Sequence, residues 1–522
     1  MPKRILINAS AAYVRSLLAA GLALFSGRWV LEALGATDFG LFYVVGAVIV
    51  FITFLNSLMA ASAARQLSFA IGQGEPEGAG KWFNTALCAH LLLPVVLVLV
   101  GLPVGEYCIR NVLEIPPDRV GACVWVFRLS LVTAFVNMAS VPYLAVFNAR
   151  QQLSEPAAWG MLLSVYQFAL AYALTRIEGD LLLVYAGFGM LGHVMFTAVQ
   201  VLRARALFPE CRCRLEHWFH AGRLRTLLSF ASWTLFGSLG YLLRTQGSSI
   251  LLNLVCGAKV NAAYGIGVTV SQQASNLSMA LRSALAPEIT AREGRGERQR
   301  VISLALRACK FSTLLILLFA IPLLLEMETV LRLWLRTPPA HTTVFCRLML
   351  CELLVDALTI GHILAINAVG RVAAYNLVLG ALHALALPLA WWLLRLGHPP
   401  GAVGVAALAA SVLLLGGRLW FVRRLLDLPV RAWVGGVFLP CLTAGLSATG
   451  AGALWLVWME PTPWRLAASA MTSVTVLVLI AWRVALNTEE RDVILRKLSA
   501  RLPARLGGDP DAKKSRGSLP ND

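Results

Sequence analysis

The sequence predicts an all-α membrane protein that crosses the bilayer about fourteen times and whose two halves share one layout. Its composition excludes a soluble domain, because 58% of the 522 residues are hydrophobic, 14% are charged, and the mean hydropathy is +0.71. The apolar runs are about twenty residues long rather than alternating stretches of about ten, which favours α-helices over a β-barrel. Motifs of the first half also return in the second half at a nearly constant offset.

Fourteen apolar runs are each long enough to span a bilayer, and Pro, Gly and Asn residues mark the turns between them. In chain order, the predicted spans cover roughly residues 9–33, 39–64, 83–105, 121–148, 156–176, 180–203, 226–252, 261–286, 301–325, 342–368, 372–395, 401–421, 433–458 and 464–485.

An internal repeat predicts two halves of similar layout. The segment around Gly35 returns in altered form around Gly257, and the turn at 72–75 corresponds in the same register to 294–297. Duplicated halves that face each other across a membrane are a common transporter design. The predicted parts are an N-terminal six-helix lobe (1–203), a basic linker (204–225), a C-terminal six-helix lobe (226–424), two additional helices (425–485) and a cytoplasmic tail (486–522).

The net charge of +18 does not indicate nucleic-acid binding, because the basic residues alternate with loop parity instead of forming one patch. Loops on one side carry most of the Lys and Arg residues, including 203–225, 292–300 and 418–431, whereas the opposite loops are acidic or balanced. The positive-inside rule then predicts that the basic loops and both termini are cytoplasmic. We expect no cleavable signal, because the first apolar run is full length and contains Arg15 and Arg28.

Short loops argue against several enzyme classes. The longest outer loops have only about fifteen residues, too few for a catalytic domain, and the first outer loop offers Asp38 alone as an acid. A membrane-embedded glycosyltransferase or polymerase is therefore disfavoured. The segment 74–82 has the wrong glycine spacing for a phosphate loop, which disfavours an ATP-driven pump.

One Cys/His cluster lies in the basic linker: Cys211, Cys213, His217 and His220. Its spacing matches no common zinc module. We therefore expect no metal site there and interpret the surrounding aromatic and arginine residues as an interfacial segment that joins the two halves.

Arginines inside predicted spans are the first candidate ligands. An arginine near the bilayer centre costs about 2.5 to 3.5 kcal/mol, so it normally faces protein or a water-filled cavity. Arg28 and Glu32 are one turn apart, and we expect them to pair. Arg15 has no acidic neighbour on its helix. Arg244 lies past the midpoint of the seventh span, close to Gln246, and as an unpaired cation it is the strongest ligand candidate.

The eighth predicted span is unusually polar. Gln272, Ser275, Met279 and Arg282 follow three–four spacing and form one stripe, which we expect to line a cavity. Close helix packing through small residues is the alternative. That alternative explains the Ser and Ala positions but not Gln272 or Arg282.

Glu352 and Asp356 lie one turn apart on the tenth predicted span. Two interpretations stay open for these carboxylates. They hold and exchange protons as a buried pair, or they neutralise Arg244 or Arg128.

Four short patterns carry a resemblance to a known family. They are Leu34-Gly35 to Gly46 followed by Asn56-Ser57 and Ala63-Ala64-Arg65; Gln246 followed by Leu251-Leu252-Asn253 and Gly257; Asn261-Ala262-Ala263-Tyr264-Gly265; and Pro287-Glu288-Ile289 before a basic loop. With them, the whole chain resembles the polysaccharide transporters of the multidrug/oligosaccharidyl-lipid/polysaccharide (MOP) exporter superfamily, and among these the O-antigen and exopolysaccharide flippases. Position 248, often acidic in such proteins, is Ser here.

The resemblance implies a V of two six-helix lobes, similar to the fold of the multidrug and toxic compound extrusion (MATE) transporters, plus two C-terminal helices. It implies alternating access in the bacterial cytoplasmic (inner) membrane. The substrate would be a polyprenyl diphosphate-linked oligosaccharide, and polysaccharide polymerase and chain-length proteins would be partners. Its diphosphate would meet Arg15, Arg244 and Arg282, and its sugars the polar side chains Gln246, Gln272 and Ser275. No metal, cofactor or covalent chemistry is then required, and the protein would not be an enzyme.

Two alternatives share this fold. A cation-coupled drug exporter would need an acidic cavity, whereas the arginines favour an anionic substrate. A lipid II flippase also uses a cationic cavity and fourteen helices, and residue spacing does not separate it from a glycan flippase.

Overall fold

The computed structural model of the protein describes residues 3–72, 76–150, 152, 154–370, 372–488 and 490–492, and almost all of them are helical. The α-helices are α1 (Lys3–Gly72), α2 (Pro76–Asn111), α3 (Val120–Ala149), α4 (Ser154–Leu174), α5 (Leu181–Leu207), α6 (Ala221–Leu242), α7 (Ser248–Cys256), α8 (Ala258–Gly294), α9 (Arg298–Leu335), α10 (Thr342–Ala357), α11 (Ile360–Val369), α12 (Ala373–Arg395), α13 (Ala402–Leu426), α14 (Val430–Trp433), α15 (Leu439–Trp458) and α16 (Pro463–Ile480).

The predicted spans coincide with these helices. The first two runs lie within α1, and the seventh run covers α6, a π-helical turn at Leu243–Gly247, and α7. Within the described residues, ten helices are long and apolar enough to cross a membrane, or eleven if the bent pair α10 and α11 counts as one span. The protein is therefore an all-α, multi-pass membrane protein, while the count of fourteen spans stays a prediction.

The internal repeat is present in the backbone. Gly35 interrupts α1 with φ 70° and ψ 170°, and Gly257 separates α7 from α8 with φ 81° and ψ 175°. These glycines are equivalent in the sequence repeat, and positive φ favours glycine because a Cβ is strained there. Both repeats thus break their helices at the same point and in the same conformation.

Two groups of helices form the lobes. In the N-terminal group, α1 packs against α2, α3 and α4, and α3 also packs against α5. In the C-terminal group, α8 packs against α9 and α10, and α12 against α6 and α13. The predicted domain boundaries agree with this grouping but stay predictions.

The lobes meet where α1 crosses α8. Gly40 lies against the carbonyl group of Ala258, and Asn261 Nδ2 donates to the carbonyl oxygen of Gly40 at 3.3 Å. The hydroxyls of Tyr43, one turn after Gly40, and Thr269, about two turns after Asn261, are 2.7 Å apart. Small residues allow this close approach, as they do in other membrane helix pairs.

The two additional helices α15 and α16 pack on each other and against α9. Arg465 of α16 donates two hydrogen bonds to the buried carboxylate of Glu326 in α9, at 2.7 and 2.9 Å. Near the other end of α9, Lys310 Nζ lies 2.6 Å from Glu490 Oε2, and both side chains are buried. Breaking a buried ion pair is strongly destabilising, so these contacts fasten α16 and the segment that follows it to the C-terminal lobe.

A cluster of charged side chains joins α1, just after Gly35, to the loop after α2 and to the beginning of α5. Arg119, in the loop after α2, donates to Asp38 at 2.6 and 3.0 Å and to Asp180 at 3.0 Å. Asp180 also caps α5 by accepting from the backbone N–H of Leu183. The hydrogen bonds from Arg119 lower the pKa of Asp180 below its ordinary value of 3.8. Its contribution to stability is therefore complete above that ordinary value and is lost only at more acidic pH.

We expect Gly40→Ala to weaken the contact between the lobes, because the new Cβ collides with the carbonyl oxygen of Ala258. Overpacking of this kind costs about 1 to 3 kcal/mol. The measurement is the unfolding temperature of the purified protein in detergent. Gly46→Ala is the matched control, since no other atom lies within 4 Å of its new Cβ. Equal unfolding temperatures for the two variants would contradict the close contact.

Candidate functional site

A π-helical turn places Arg244 inside the C-terminal lobe. The turn Leu243–Gly247 joins α6 to α7, and such turns occur frequently at functional sites. Gly240 before the turn lies against the backbone of Gly380, and the hydroxyl of Tyr264 donates to the carbonyl oxygen of Thr245 at 3.0 Å. The side chain of Arg244 is only 4% exposed.

Arg244 is not unpaired, contrary to the expectation from sequence. Its guanidinium forms an ion pair with Glu352 of α10, and its Nη1 donates to Ser411 Oγ of α13 at 3.2 Å. The guanidinium also lies 5.2 Å from the ring centroid of Tyr241. A buried cation requires a counter-charge because desolvation is expensive, and Glu352 supplies it. The neutralising role, one of the two interpretations left open for Glu352, is the one seen here.

A second ion pair lies beside the first. Asp356, one turn after Glu352, accepts from Arg418 Nη1 at 2.8 Å, and the same nitrogen donates to Thr359 Oγ1 at 3.0 Å. Arg418 was expected in a cytoplasmic loop, but it is buried within α13. Its position inside the apolar run 401–421 was the signal that could have identified it.

Arg282 is the third guanidinium of this region. It is half-buried on α8 and interacts electrostatically with Asp356, but no carboxylate in the described part of the chain forms an ion pair with it. Arg244, Arg282, Arg418, Glu352 and Asp356 form what we name the charge cluster. Three cations and two anions leave it with one positive charge in excess.

The polar stripe of α8 begins one turn after the contact between Thr269 and α1. Thr269 contacts Tyr43 of α1, whereas Gln272, one turn later on the same face, is exposed. Ser275 is half-buried and Met279 is exposed, while Ser278 and Ala274 on the other face are buried. The stripe therefore faces open space, and Arg282 lies at its far end. Within α8, Gln272 Nε2 donates to Asn276 Oδ1 at 3.2 Å.

Two other predicted site residues are less defined. Gln246 is half-buried within the π-helical turn. Arg15 lies in α1, and its side chain is outside the described residues.

A cavity of about 440 Å³ lies inside the N-terminal lobe between α1, α3, α4 and α5. Its polar lining includes Thr53, Thr133, Asn137, Gln167 and His193, and no charged side chain from the described part of the chain lines it. Gln167 Nε2 and His193 Nε2 are 3.1 Å apart. This cavity was not predicted from sequence, because its polar lining is divided among α1, α3, α4 and α5, each of which contributes few polar residues.

One predicted ion pair is wrong, and one of the alternatives left open for Glu352 and Asp356 is not formed. Glu32 lies 3.5 Å from Arg336, which follows α9, and its expected pair with Arg28 is not formed. Arg128 pairs with Glu106 of the neighbouring α2 at 2.7 Å, not with Glu352 or Asp356. In both cases the observed partner lies on a different helix from the partner considered from sequence: Arg336 at the end of α9 pairs with Glu32, and Glu106 of α2 pairs with Arg128.

The Cys/His cluster of the linker is dispersed. Cys211 is buried against aromatic residues, Cys213 is exposed, and His220 Nδ1 accepts from the backbone N–H of Arg223 at 3.3 Å. Among the residues that the structure describes, no three His, Cys, Asp or Glu side chains converge as metal ligands would.

Comparison with known proteins gives three informative similarities. No protein-family model matches the chain. The uncharacterized membrane protein EpsK of Bacillus subtilis (strain 168) is 22% identical over 505 residues, covering 94% of this chain and 97% of EpsK. An inward-facing multidrug resistance MATE transporter of the MOP superfamily superposes with a TM-score of 0.65 at 17% identity, over 80% of this chain and 98% of that one. The lipid II flippase MurJ, in an inward closed conformation, also gives 0.65, at 11% identity, over 93% and 99%.

These similarities show the fold. The chain shares the helical architecture of this MATE transporter and of MurJ over nearly the full length of both structures. At such low identity, the fold does not identify a substrate, which has to be argued from the site.

We expect Glu352→Gln to destabilise the protein by about 3 to 5 kcal/mol, because it leaves the buried Arg244 without a counter-charge. The double variant Arg244→Gln/Glu352→Gln should recover most of this loss. The measurement is the amount of folded protein in the membrane together with its unfolding temperature in detergent. Glu106→Gln is the control, since its partner Arg128 is 41% exposed. If Glu352→Gln unfolds no more easily than this control, the pair does not stabilise the lobe.

Proposed function

We propose that the protein is a flippase that moves a polyprenyl diphosphate-linked oligosaccharide, an O-antigen or exopolysaccharide repeat unit, from the inner to the outer leaflet by alternating access. The observation that carries this proposal is Arg282, which forms no ion pair with a described carboxylate and lies at the end of a polar stripe whose Gln272 and Met279 are exposed.

The chemistry of such a substrate matches the charge cluster. A diphosphate must cross a region of low dielectric constant, and a guanidinium can bind its oxygens through two hydrogen bonds at once. Arg282 supplies the excess positive charge. We further propose Arg15 and Arg244 as headgroup ligands, with Arg244 contributing when Glu352 releases it. The polyprenyl tail stays in lipid, so the protein does not have to enclose it.

Neutral polar groups suit the saccharide part of the substrate. Gln272 and Ser275 offer donors and acceptors on the stripe that ends at Arg282, and Gln246 lies two residues after Arg244. The N-terminal cavity adds Asn137 and Gln167. Amide and hydroxyl side chains hydrogen-bond sugar hydroxyls without introducing a charge. Binding and release require no covalent step, which agrees with a transporter rather than an enzyme.

The charge balance also ranks the alternatives. An exporter of cationic drugs is favoured by an acidic cavity, whereas three cations and two anions favour an anionic ligand. A lipid II flippase has the same headgroup chemistry, and the similarity to MurJ keeps it as the second candidate. The saccharide that accumulates in a deletion strain distinguishes the two flippases.

The proposal places the protein in the bacterial cytoplasmic membrane with basic loops and both termini inside. The natural partners in that setting are the bilayer, the polysaccharide polymerase and the chain-length machinery.

We expect Arg282→Gln to abolish transport while the protein stays folded, because Arg282 forms no ion pair with a described carboxylate. Transport is measured in a deletion strain that carries the variant, as the polyprenyl diphosphate-linked oligosaccharide trapped on the cytoplasmic leaflet and the polysaccharide at the surface. Arg282→Lys should retain part of the activity, since it keeps the charge but not the bidentate geometry.

Arg395→Gln is the matched control, because Arg395 stacks on Trp391 at the end of α12, away from the charge cluster. Normal transport by Arg282→Gln would remove Arg282 from the site. Failure of the deletion to trap any lipid-linked saccharide, with changed drug susceptibility instead, would favour the exporter.

A further inference from the structure

The linker between the lobes is fixed to the beginning of α2. Asn84 Oδ1 accepts from the backbone N–H of Arg214 at 2.7 Å, and Asn84 Nδ2 donates to the carbonyl oxygen of Arg212 at 3.0 Å. Thr85 Oγ1 donates to the carbonyl oxygen of His217 at 3.1 Å. Asn84 and Thr85 are both buried. These bonds hold the linker backbone in a defined shape, although it contains little regular structure.

A pocket of about 300 Å³ lies between this linker and α2. Lys81, Arg212, Arg214 and His217 line it, together with the two acids Glu77 and Glu210.

The pocket has an excess of positive charge. Glu210 is already ion-paired with Arg150, which leaves Glu77 as the uncommitted acid of the lining. Within the described part of the chain, Lys81, Arg212 and Arg214 form no side-chain ion pair. Cations without counter-charges around a shaped pocket favour an anionic ligand.

One acceptor in the pocket also lacks a partner. Oε2 of Glu210 is buried and accepts no hydrogen bond from any described residue. A buried carboxylate oxygen left in this way is costly, so the ligand should bring a donor as well as an anion.

Two exposed apolar side chains adjoin the pocket on the linker. Leu215 is 74% exposed and Phe219 is 73% exposed, and both lie within five residues of Arg214. The linker joins α5 and α6, both of which belong to the membrane-spanning set, so it runs along the membrane boundary. Aliphatic and aromatic side chains beside arginines are typical of segments that enter the headgroup region.

We propose that this pocket binds the phosphate headgroup of an anionic glycerophospholipid of the cytoplasmic leaflet. The phosphate interacts with Lys81, Arg212 and Arg214, and a headgroup hydroxyl, as in phosphatidylglycerol, donates to Glu210. The acyl chains follow Leu215 and Phe219 into the bilayer. Free phosphate has the same charge but makes no use of the two apolar side chains.

The location gives the bound lipid a structural consequence. Arg223, in the first turn of α6, donates from Nε to Thr85 Oγ1 of α2 at 3.0 Å, and Leu227 packs against Ala63 and Ala86. The pocket therefore lies next to a contact between α2 of one lobe and α6 of the other. A lipid in the pocket stabilises the linker and, with it, this contact.

The test uses the full-length protein in neutral phosphatidylcholine nanodiscs, to which phosphatidylglycerol or inorganic phosphate is added. Binding is followed by native mass spectrometry and by the unfolding temperature. Phosphatidylglycerol should bind and raise the unfolding temperature. Each basic residue near an anionic surface contributes about fivefold to affinity, so Arg212→Gln/Arg214→Gln should lose roughly thirtyfold.

Arg423→Gln/Arg424→Gln is the matched control, because it removes two arginines from the last turn of α13, outside the pocket. If the Arg212/Arg214 variant does not fold, Lys81→Gln replaces it, with a loss of about fivefold expected. If the pocket and control variants lost phosphatidylglycerol affinity equally, the binding would depend only on the general surface charge, which would overturn the proposal.

Leu215→Ser/Phe219→Ser separates the two sources of phosphate. It should weaken phosphatidylglycerol binding while leaving the arginines in place. Unchanged lipid binding in this variant, together with equal stabilisation by inorganic phosphate, would make the ligand a free anion and overturn the lipid assignment. No transport substrate is present in these measurements, so their outcome is independent of the role proposed for Arg282.

Discussion

The interior of the C-terminal lobe depends on one constraint: guanidinium groups within membrane-spanning helices require counter-charges. Arg244 and Arg418 are buried, and each is paired with a carboxylate of α10. The pairing fixes the relative positions of α6, α10 and α13, because each cation reaches across from a different helix. Arg282 has no such partner in the described chain and is only half-buried, so the charge that the lobe does not neutralise is also the charge that a ligand can reach.

The two repeats have kept the same backbone while their polar content has diverged. Gly35 and Gly257 share one unusual conformation, which shows that the helix break is common to both halves. The N-terminal cavity, however, is lined by neutral amides and hydroxyls, whereas the C-terminal lobe contains the charge cluster. A substrate with an anionic and a neutral polar part matches this division better than a uniformly charged one does.

The sequence predicted the fold class, the repeat and the helix positions because these depend on hydropathy and glycine placement, which are local. It also identified Glu352 and Asp356 as unusual. It did not assign their partners, because ion pairing depends on which helices become neighbours. Arg418 was assigned to a loop because it was grouped with the basic residues that follow it, although it lies inside an apolar run. The cavity around Gln167 was missed because its lining comes from four helices that each contribute few polar residues.

The proposed alternating access would require some contacts to break and others to persist, and the buried ion pairs indicate which contacts should persist. Glu326–Arg465 joins α16 to α9, Lys310–Glu490 joins the segment after α16 to α9, and all four side chains are largely buried. Separating them would expose uncompensated charges, so α15 and α16 should move together with the C-terminal lobe. The contact between α1 and α8 instead uses small residues and neutral hydrogen bonds around Gly40. Water or substrate hydroxyls can replace such bonds at low cost, so this contact can open more easily than the buried ion pairs.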